Sequence, residues 1–148
     1  MTVKQIIGLV RKTIKKYNMI QRGDRIIVAV SGGADSVCLL DILAALANDL
    51  DIKLVMAHYE HGLRPVEDPF ETTLACGYAR SLNLPFETEK ASGIGPDSPS
   101  LEEKARVLRY DFLERVRSRY NANRIATGHN LNDQAETVLM RLLRGSGT

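Results

Sequence analysis

A turn rich in glycine and serine, Ser31-Gly32-Gly33-Ala34-Asp35-Ser36, lies between an apolar run and a helical apolar pattern. Glycines let the backbone turn sharply and approach an anion without a clashing Cβ. The free N–H groups and the positive end of the following helix then favour bound phosphate. The Ser31 and Ser36 hydroxyls can add two neutral hydrogen bonds. The turn therefore predicts a phosphate-binding loop, and the alternative is a plain helix cap by Ser31 or Asp35.

The loop carries a carboxylate and no lysine. The chain contains no Gly-x-x-x-x-Gly-Lys-Ser/Thr loop, and no Gly-x-Gly-x-x-Gly follows the strand, which disfavours a dinucleotide cofactor. The Asp35 carboxylate would repel phosphate unless a divalent cation lies between them. The loop therefore predicts a nucleotide bound together with Mg²⁺, with Asp35 as the metal ligand.

Two histidines and an arginine follow the second apolar run, in His58-Tyr59-Glu60-His61-Gly62-Leu63-Arg64. Two histidines without a third ligand at useful spacing make a poor zinc site. We expect His58 to fix the loop or to lie near the adenine, and a structural histidine is the alternative. Arg64 is either a contact to phosphate or nucleic acid, or an ordinary surface arginine.

Two further arginines, Arg106 and Arg109, are three residues apart and so neighbours on one helix face. Arginine stays charged and can hold a phosphate with two parallel hydrogen bonds. We expect the pair to bind the phosphates of ATP or substrate RNA, with a surface salt-bridge network as the alternative. Asp133 and Glu136 are also three residues apart, and form either a helix cap with its partner or a pair of acids suited to a cationic amine.

Apolar runs and helical periodicities alternate along the chain and predict an α/β fold. Strands are expected at 25–30, 52–57, 86–89 and 124–127, and helices at 3–17, 37–46, 70–80, 101–116 and 133–144. The third strand is short and polar, which suits a sheet edge, and Ser100-x-x-Glu103 has the form of a capping box. The alternation predicts a Rossmann-like parallel sheet with helices on both faces. Its ligand would lie at the carboxyl ends of the strands, near 31–36, 58–64, 90–99 and 128–134.

The composition is that of a soluble globular protein. The 148 residues are 44% hydrophobic and 26% charged, with a net charge of +2. No apolar run approaches the ~20 residues of a membrane helix, and no secretory signal is visible. Cys38 and Cys76 are expected to be reduced thiols in a cytoplasmic protein. A basic stripe within residues 1–25 is either a solvated helix face or a contact to a phosphate backbone.

The loop at 31–36 resembles the signature loop of the PP-loop ATP pyrophosphatases, which cleave ATP between the α- and β-phosphates. Together with the segments at 58–64, 100–110 and 126–145, it resembles the tRNA(Ile)-lysidine synthetase family, in particular the N-terminal catalytic domain. The family usually has Asn and often Asp where this chain has Glu60 and Asn132.

This resemblance implies a ligase that uses ATP and Mg²⁺ to join L-lysine to the unmodified wobble cytidine of tRNA(Ile). It assigns catalysis to Asp35, Arg106, Arg109, Asp133 and Glu136, with the last two recognising lysine. The residues implied to bind the nucleotide are Ser31, Gly32, Gly33, Ala34, Asp35, Ser36, Ala57, His58, Gly128 and His129.

We expect one PP-loop domain over residues 1–148, with an N-terminal helix within residues 1–20. The chain is expected to be a fragment that lacks a C-terminal region for tRNA recognition, and both a monomer and a homodimer remain open. Two other functions are considered. A tRNA thiolase of the same superfamily would need closely spaced cysteines, which Cys38 and Cys76 are not. A nucleotide-binding sensor would gain little from extra carboxylates near phosphate.

Overall fold

The computed structural model of the chain describes residues 1–93, 95, 97, 100–130 and 138–143. The elements in chain order are α1 (Val3–Lys16), β1 (Arg25–Ala29), α2 (Ala34–Leu50), β2 (Lys53–Glu60), α3 (Glu67–Ser81), β3 (Phe86–Lys90), α4 (Leu101–Arg119), β4 (Arg124–Asn130) and β5 (Val138–Leu143). Among these described helices, none is both long enough and apolar enough to cross a membrane.

The strands form one sheet in the order β3-β2-β1-β4-β5, and the first four are parallel. The predicted Rossmann-like parallel sheet is confirmed, and β3 lies at the predicted edge. The chain runs from β1 to β2 on one side of β1 and reaches β4 on the other side. The sheet order therefore reverses between β1 and β4, which is where ligands bind in such folds.

The sequence predicts a helix over 133–144. In the structure, residues 138–143 instead form the strand β5, which runs antiparallel to β4. A run of six mostly apolar residues fits either a buried helix or a strand, and periodicity alone does not separate them. Here the exposed ladder of β4 supplies backbone partners for the run, from the pair Ile125–Leu143 to the pair Asn130–Val138.

The expected capping box at the start of α4 is wrong. Ser100 has φ +54° and ψ +44°, and its side chain makes no cap hydrogen bond. A capping serine needs extended backbone to place its oxygen over the first turn. The carboxylate of Glu103 instead lies 3.9 Å from the guanidinium of Arg106.

The helices lie on both faces of the sheet, with α1, α2 and α3 on one face and α4 on the other. Under α4, a row of branched side chains crosses β2, β1 and β4 in register, formed by Val55, Ile27 and Ile125. All three are buried against the underside of α4. This row fills the space between the sheet and the helix.

Candidate functional site

A cleft opens between the sheet and α4 at the carboxyl ends of the central strands. Two residues beyond the branched row, the same face of the sheet carries Ala57, Ala29 and Thr127 in register. These side chains are small, so the sheet and α4 separate into a cleft of about 110 Å³. Its lining residues are Ala29, Val30, Ser31, Ser36, Ala57, Tyr59, His61, Arg109, Leu113, Thr127 and Gly128.

The glycine loop at 31–36 joins β1 to α2 at one end of this cleft. Gly32 has φ +100°, which only glycine adopts without strain, and Gly33 is the N-cap residue of α2. No side chain of the described residues accepts a hydrogen bond from the first-turn amides of α2. Neither Ser31 nor Asp35 therefore caps the helix, and these amides, at the positive end of the helix, are available to bind an anion.

Both serine hydroxyls bond within the loop. The buried Ser36 hydroxyl donates to the Gly33 carbonyl at 2.9 Å and accepts from the Ser31 N–H at 3.1 Å. Because its one hydrogen is used there, the Ser31 hydroxyl is the donor in the 3.3 Å contact between the two oxygens. The Ser31 oxygen also accepts from the Gly33 N–H. These bonds fix the loop conformation that exposes the amides.

Asp35 is half-buried in the first turn of α2, and its backbone packs against β4 at Gly128. A Cβ added at Gly128 would lie 3.0 Å from the Asp35 carbonyl oxygen and 3.1 Å from the Ser36 Cα. Glycine at position 128 therefore lets β4 approach the start of α2. This contact sets the position of the loop relative to the cleft.

The two histidines after Ala57 have different environments. The Nδ1–H of the buried His58 donates to the Val30 carbonyl at 2.7 Å, which fixes the residue before the loop. His61 packs edge-on against Tyr59 and lines the cleft. Burial lowers the pKa of His61, and the positive charge of Arg109 lowers it further. The imidazole of His61 is therefore neutral near pH 7.

The structure places Arg106 and Arg109 of α4 in different surroundings. Arg109 is half-buried, lines the cleft, and also lines a groove of about 460 Å³ beside it. Within the described residues, no carboxylate pairs with its guanidinium, which lies over the Tyr110 ring at 5.3 Å. Arg106 lines only the groove, and its exposed guanidinium faces Glu103. Arg109 is thus the cation placed to bind an anion in the cleft.

Arg64 is held by two carboxylates of α3. Its backbone N–H donates to Asp68 Oδ2 at 2.9 Å and its Nε–H to Asp68 Oδ1 at 3.0 Å. Its Nη2 donates to both oxygens of Glu71 at 3.1 Å. Burial alone would raise the pKa of Asp68, but the bonds from Arg64 and from the Leu63 N–H outweigh it and lower the pKa.

Replacing Asp68 with asparagine is expected to destabilise the fold by about 1–3 kcal/mol at pH 7, because the Arg64 donors lose a buried charged acceptor. A lowered folded pKa means that the stabilisation is present above the unfolded value of 3.8 and is lost as the pH falls through the folded value. Urea unfolding from pH 7 to pH 2 should show a stability difference between wild type and Asp68→Asn that is constant down to the unfolded value of 3.8 and shrinks below it. A constant difference across this range would contradict the assignment.

The predicted site residues fall into three groups. Ser31, Ser36, Ala57, Gly128 and Arg109 line the cleft together. Gly32, Gly33, Ala34, Asp35 and His58 lie in or directly behind its loop, and Arg106 lies in the adjoining groove. Asp133 and Glu136 lie outside the described residues, and of His129 only the backbone in β4 is described.

Sequence reasoning missed Tyr59, Thr127 and Glu71 as neighbours of the loop. Tyr59 falls on the cleft face because β2 runs on to Glu60, beyond its expected end, whereas Thr127 is the last residue of the expected fourth strand. Alternation from Ala57 to Tyr59 would have indicated the first of them. Glu71 approaches from α3, and its Oε2 lies 3.5 Å from where a Cβ on Gly32 would stand.

Comparison with known proteins gives similarity over almost the whole chain. The family described as PP-loop domain matches residues 6–148. The tRNA(Ile)-lysidine synthase of Clostridioides difficile (strain 630) is 42% identical over 96% of this chain and 31% of its own length. That of Symbiobacterium thermophilum is 43% identical over 97% of this chain and 30% of its own length. The chain thus spans about a third of the length of these relatives.

A solved structure with a similar fold is that of the U34-tRNA thiolase NcsA from Methanococcus maripaludis. It superposes with a TM-score of 0.74 over 88% of this chain and 46% of the thiolase chain. The sequences are 18% identical, so this similarity concerns the fold.

Proposed function

The chain belongs to the PP-loop domain family, and from that premise we propose that it binds ATP in the cleft at the end of β1 and catalyses lysidine formation. In this reaction lysine is joined to the wobble cytidine of tRNA(Ile). The observation that carries the proposal is the uncapped glycine loop facing a cleft that also contains Arg109. The relatives named tRNA(Ile)-lysidine synthase support the choice of substrates.

The loop fits the phosphates of a nucleotide. Gly32 and Gly33 carry no side chains of their own that would cover the loop, and no described side chain caps the first turn of α2. Within the described ranges, no three His, Cys, Asp or Glu side chains cluster as a metal-binding set. Mg²⁺ bound to a nucleotide needs only one or two carboxylates besides phosphate and water, and Asp35 can supply one. The metal would neutralise phosphate charge there.

The reaction has two steps. The ring carbonyl oxygen of the cytidine attacks the α-phosphorus of ATP, and pyrophosphate leaves while the loop amides stabilise its charge. The ε-amine of lysine then attacks the activated ring carbon, and AMP leaves with the bonding electrons. Arg109, which lines the cleft, would hold a phosphate between these steps. Asp133 and Glu136 would bind the lysine, and the amine must lose a proton before it attacks.

The decisive measurement follows α-labelled ATP with Mg²⁺, adding unmodified tRNA(Ile) and lysine separately and together. We expect labelled AMP only when the RNA is present, and lysine covalently joined to that RNA. If AMP forms with RNA but does not depend on lysine, the adenylation step is supported and lysidine formation is rejected. That result would favour the thiolase reaction. ADP, or no turnover even from the full-length protein, would reject the ligase.

A further inference from the structure

We propose that Arg64 is a further ligand of the terminal phosphates of the bound nucleotide, and that Glu71 competes with those phosphates for it. This inference rests on the proposed function, because it assumes that the loop at 31–36 holds a nucleotide. It adds a second cation to Arg109. It also predicts that one acidic side chain of α3 lowers the affinity of the site.

Arg64 is connected to the loop at 31–36 through one carboxylate, that of Glu71. The Nη2 of Arg64 lies 3.1 Å from both oxygens of Glu71. One of these oxygens, Oε2, lies 3.5 Å from the position of a Cβ on Gly32. The Glu71 carboxylate therefore bridges the guanidinium and the turn at which phosphate is expected.

The base of the Arg64 side chain is fixed while its end remains free to change partner. Asp68 is buried and holds both the backbone N–H and Nε of Arg64. The Arg64 side chain is 56% exposed, and among the described residues its Nη1 makes no hydrogen bond. A planar guanidinium binds carboxylate and phosphate with the same pair of parallel bonds. A phosphate oxygen at Gly32 can thus replace Glu71 without moving the loop that carries Arg64.

Charge gives the competition its direction. A triphosphate on the loop brings several negative charges next to the Glu71 carboxylate, and like charges at this separation repel. The same triphosphate attracts Arg64. Removing the charge of Glu71 should therefore strengthen phosphate binding, whereas removing that of Arg64 should weaken it.

The nucleotide is favoured over RNA as the partner of Arg64 because of where Glu71 lies. An arginine reserved for an RNA backbone would face open surface, but this guanidinium is paired with a carboxylate seated on Gly32. RNA binding remains a distinct outcome of the test below.

The test is calorimetric titration of the full chain with inorganic pyrophosphate, with Mg-ATP and with single-stranded RNA. The variants are Arg64→Gln, Glu71→Gln and the double variant. Matched controls on α3 are Arg80→Gln and Glu67→Gln, which change the same charges away from the Glu71 contact. We expect Arg64→Gln to weaken pyrophosphate binding about tenfold, the loss typical of a charge-assisted hydrogen bond. Glu71→Gln should tighten it roughly 3- to 10-fold. The double variant should bind like Arg64→Gln, and the controls like wild type.

Three results would overturn the inference. Pyrophosphate affinity unchanged in Arg64→Gln would remove Arg64 from the site, and a loss confined to single-stranded RNA would make it an RNA contact. Weaker binding in Glu71→Gln, a surface change that leaves Asp68 and its bonds intact, would show that Glu71 assists phosphate. Wild type that binds pyrophosphate but never attaches lysine to tRNA would reject the proposed function alone.

Discussion

Replacing Asp35 with asparagine is expected to lower the rate of AMP formation by about 10²–10³-fold, the effect typical of removing one group that stabilises transition-state charge. Asparagine keeps the shape of the side chain and its place in the first turn of α2, so the fold should not change. What is lost is the negative charge that holds a divalent cation against the phosphates. Single-turnover formation of labelled AMP with tRNA(Ile) and lysine measures this effect, and raising Mg²⁺ should recover part of the rate.

The control for Asp35 is Asp41→Asn, an acid-to-amide change at an exposed position of the same helix. Asp41 accepts from the Tyr78 hydroxyl, and the amide oxygen of asparagine can accept the same bond. Wild-type rates are expected for this control. A protein in which Asp35→Asn binds nucleotide more tightly, and in which wild type forms no AMP, would be a sensor. Full turnover by Asp35→Asn would reject its role toward the metal.

The turn at 31–36 between β1 and α2 could be predicted from the sequence because its determinants are local. A buried strand, two glycines and a helix start within about ten residues specify both the turn and the direction of the amides. The parallel sheet with helices on both faces followed from the alternation of strands and helices with right-handed crossovers. These features depend on neighbours along the chain, so the sequence alone contains the information.

Other features depend on partners distant in sequence. β2 continues to Glu60 because Tyr59 and Glu60 pair with Glu89 and Lys90 of β3, which no local pattern indicates. Residues 138–143 pair with β4 for the same kind of reason. Glu71 reaches Gly32 only because α3 packs beside α2, and Arg64 then orients its carboxylate. Such contacts are decided by tertiary packing, which overrides local preference.

Gly128 affects both the stability of the fold and the position of the loop at 31–36. Replacing Gly128 with alanine is expected to destabilise the fold by about 1–3 kcal/mol and to lower Tm by roughly 3–12 °C. The new Cβ would meet the Asp35 carbonyl oxygen at 3.0 Å, and this neighbour is helix backbone that cannot rotate away as a side chain would. Thermal unfolding followed by circular dichroism measures the change.

The control for Gly128 is Gly77→Ala on α3, where an added Cβ has no neighbour within 4 Å. Alanine is the better helix former, so this variant should be more stable than wild type by about 0.5–1 kcal/mol. Because relief of the clash must move the start of α2, Gly128→Ala should also weaken pyrophosphate binding well below Tm. Normal pyrophosphate affinity with a lowered Tm would mean that the clash is relieved by a shift of β4 rather than of α2. The loop amides would then keep their place independently of β4, and the position of the phosphate site would be set by β1 and α2 alone.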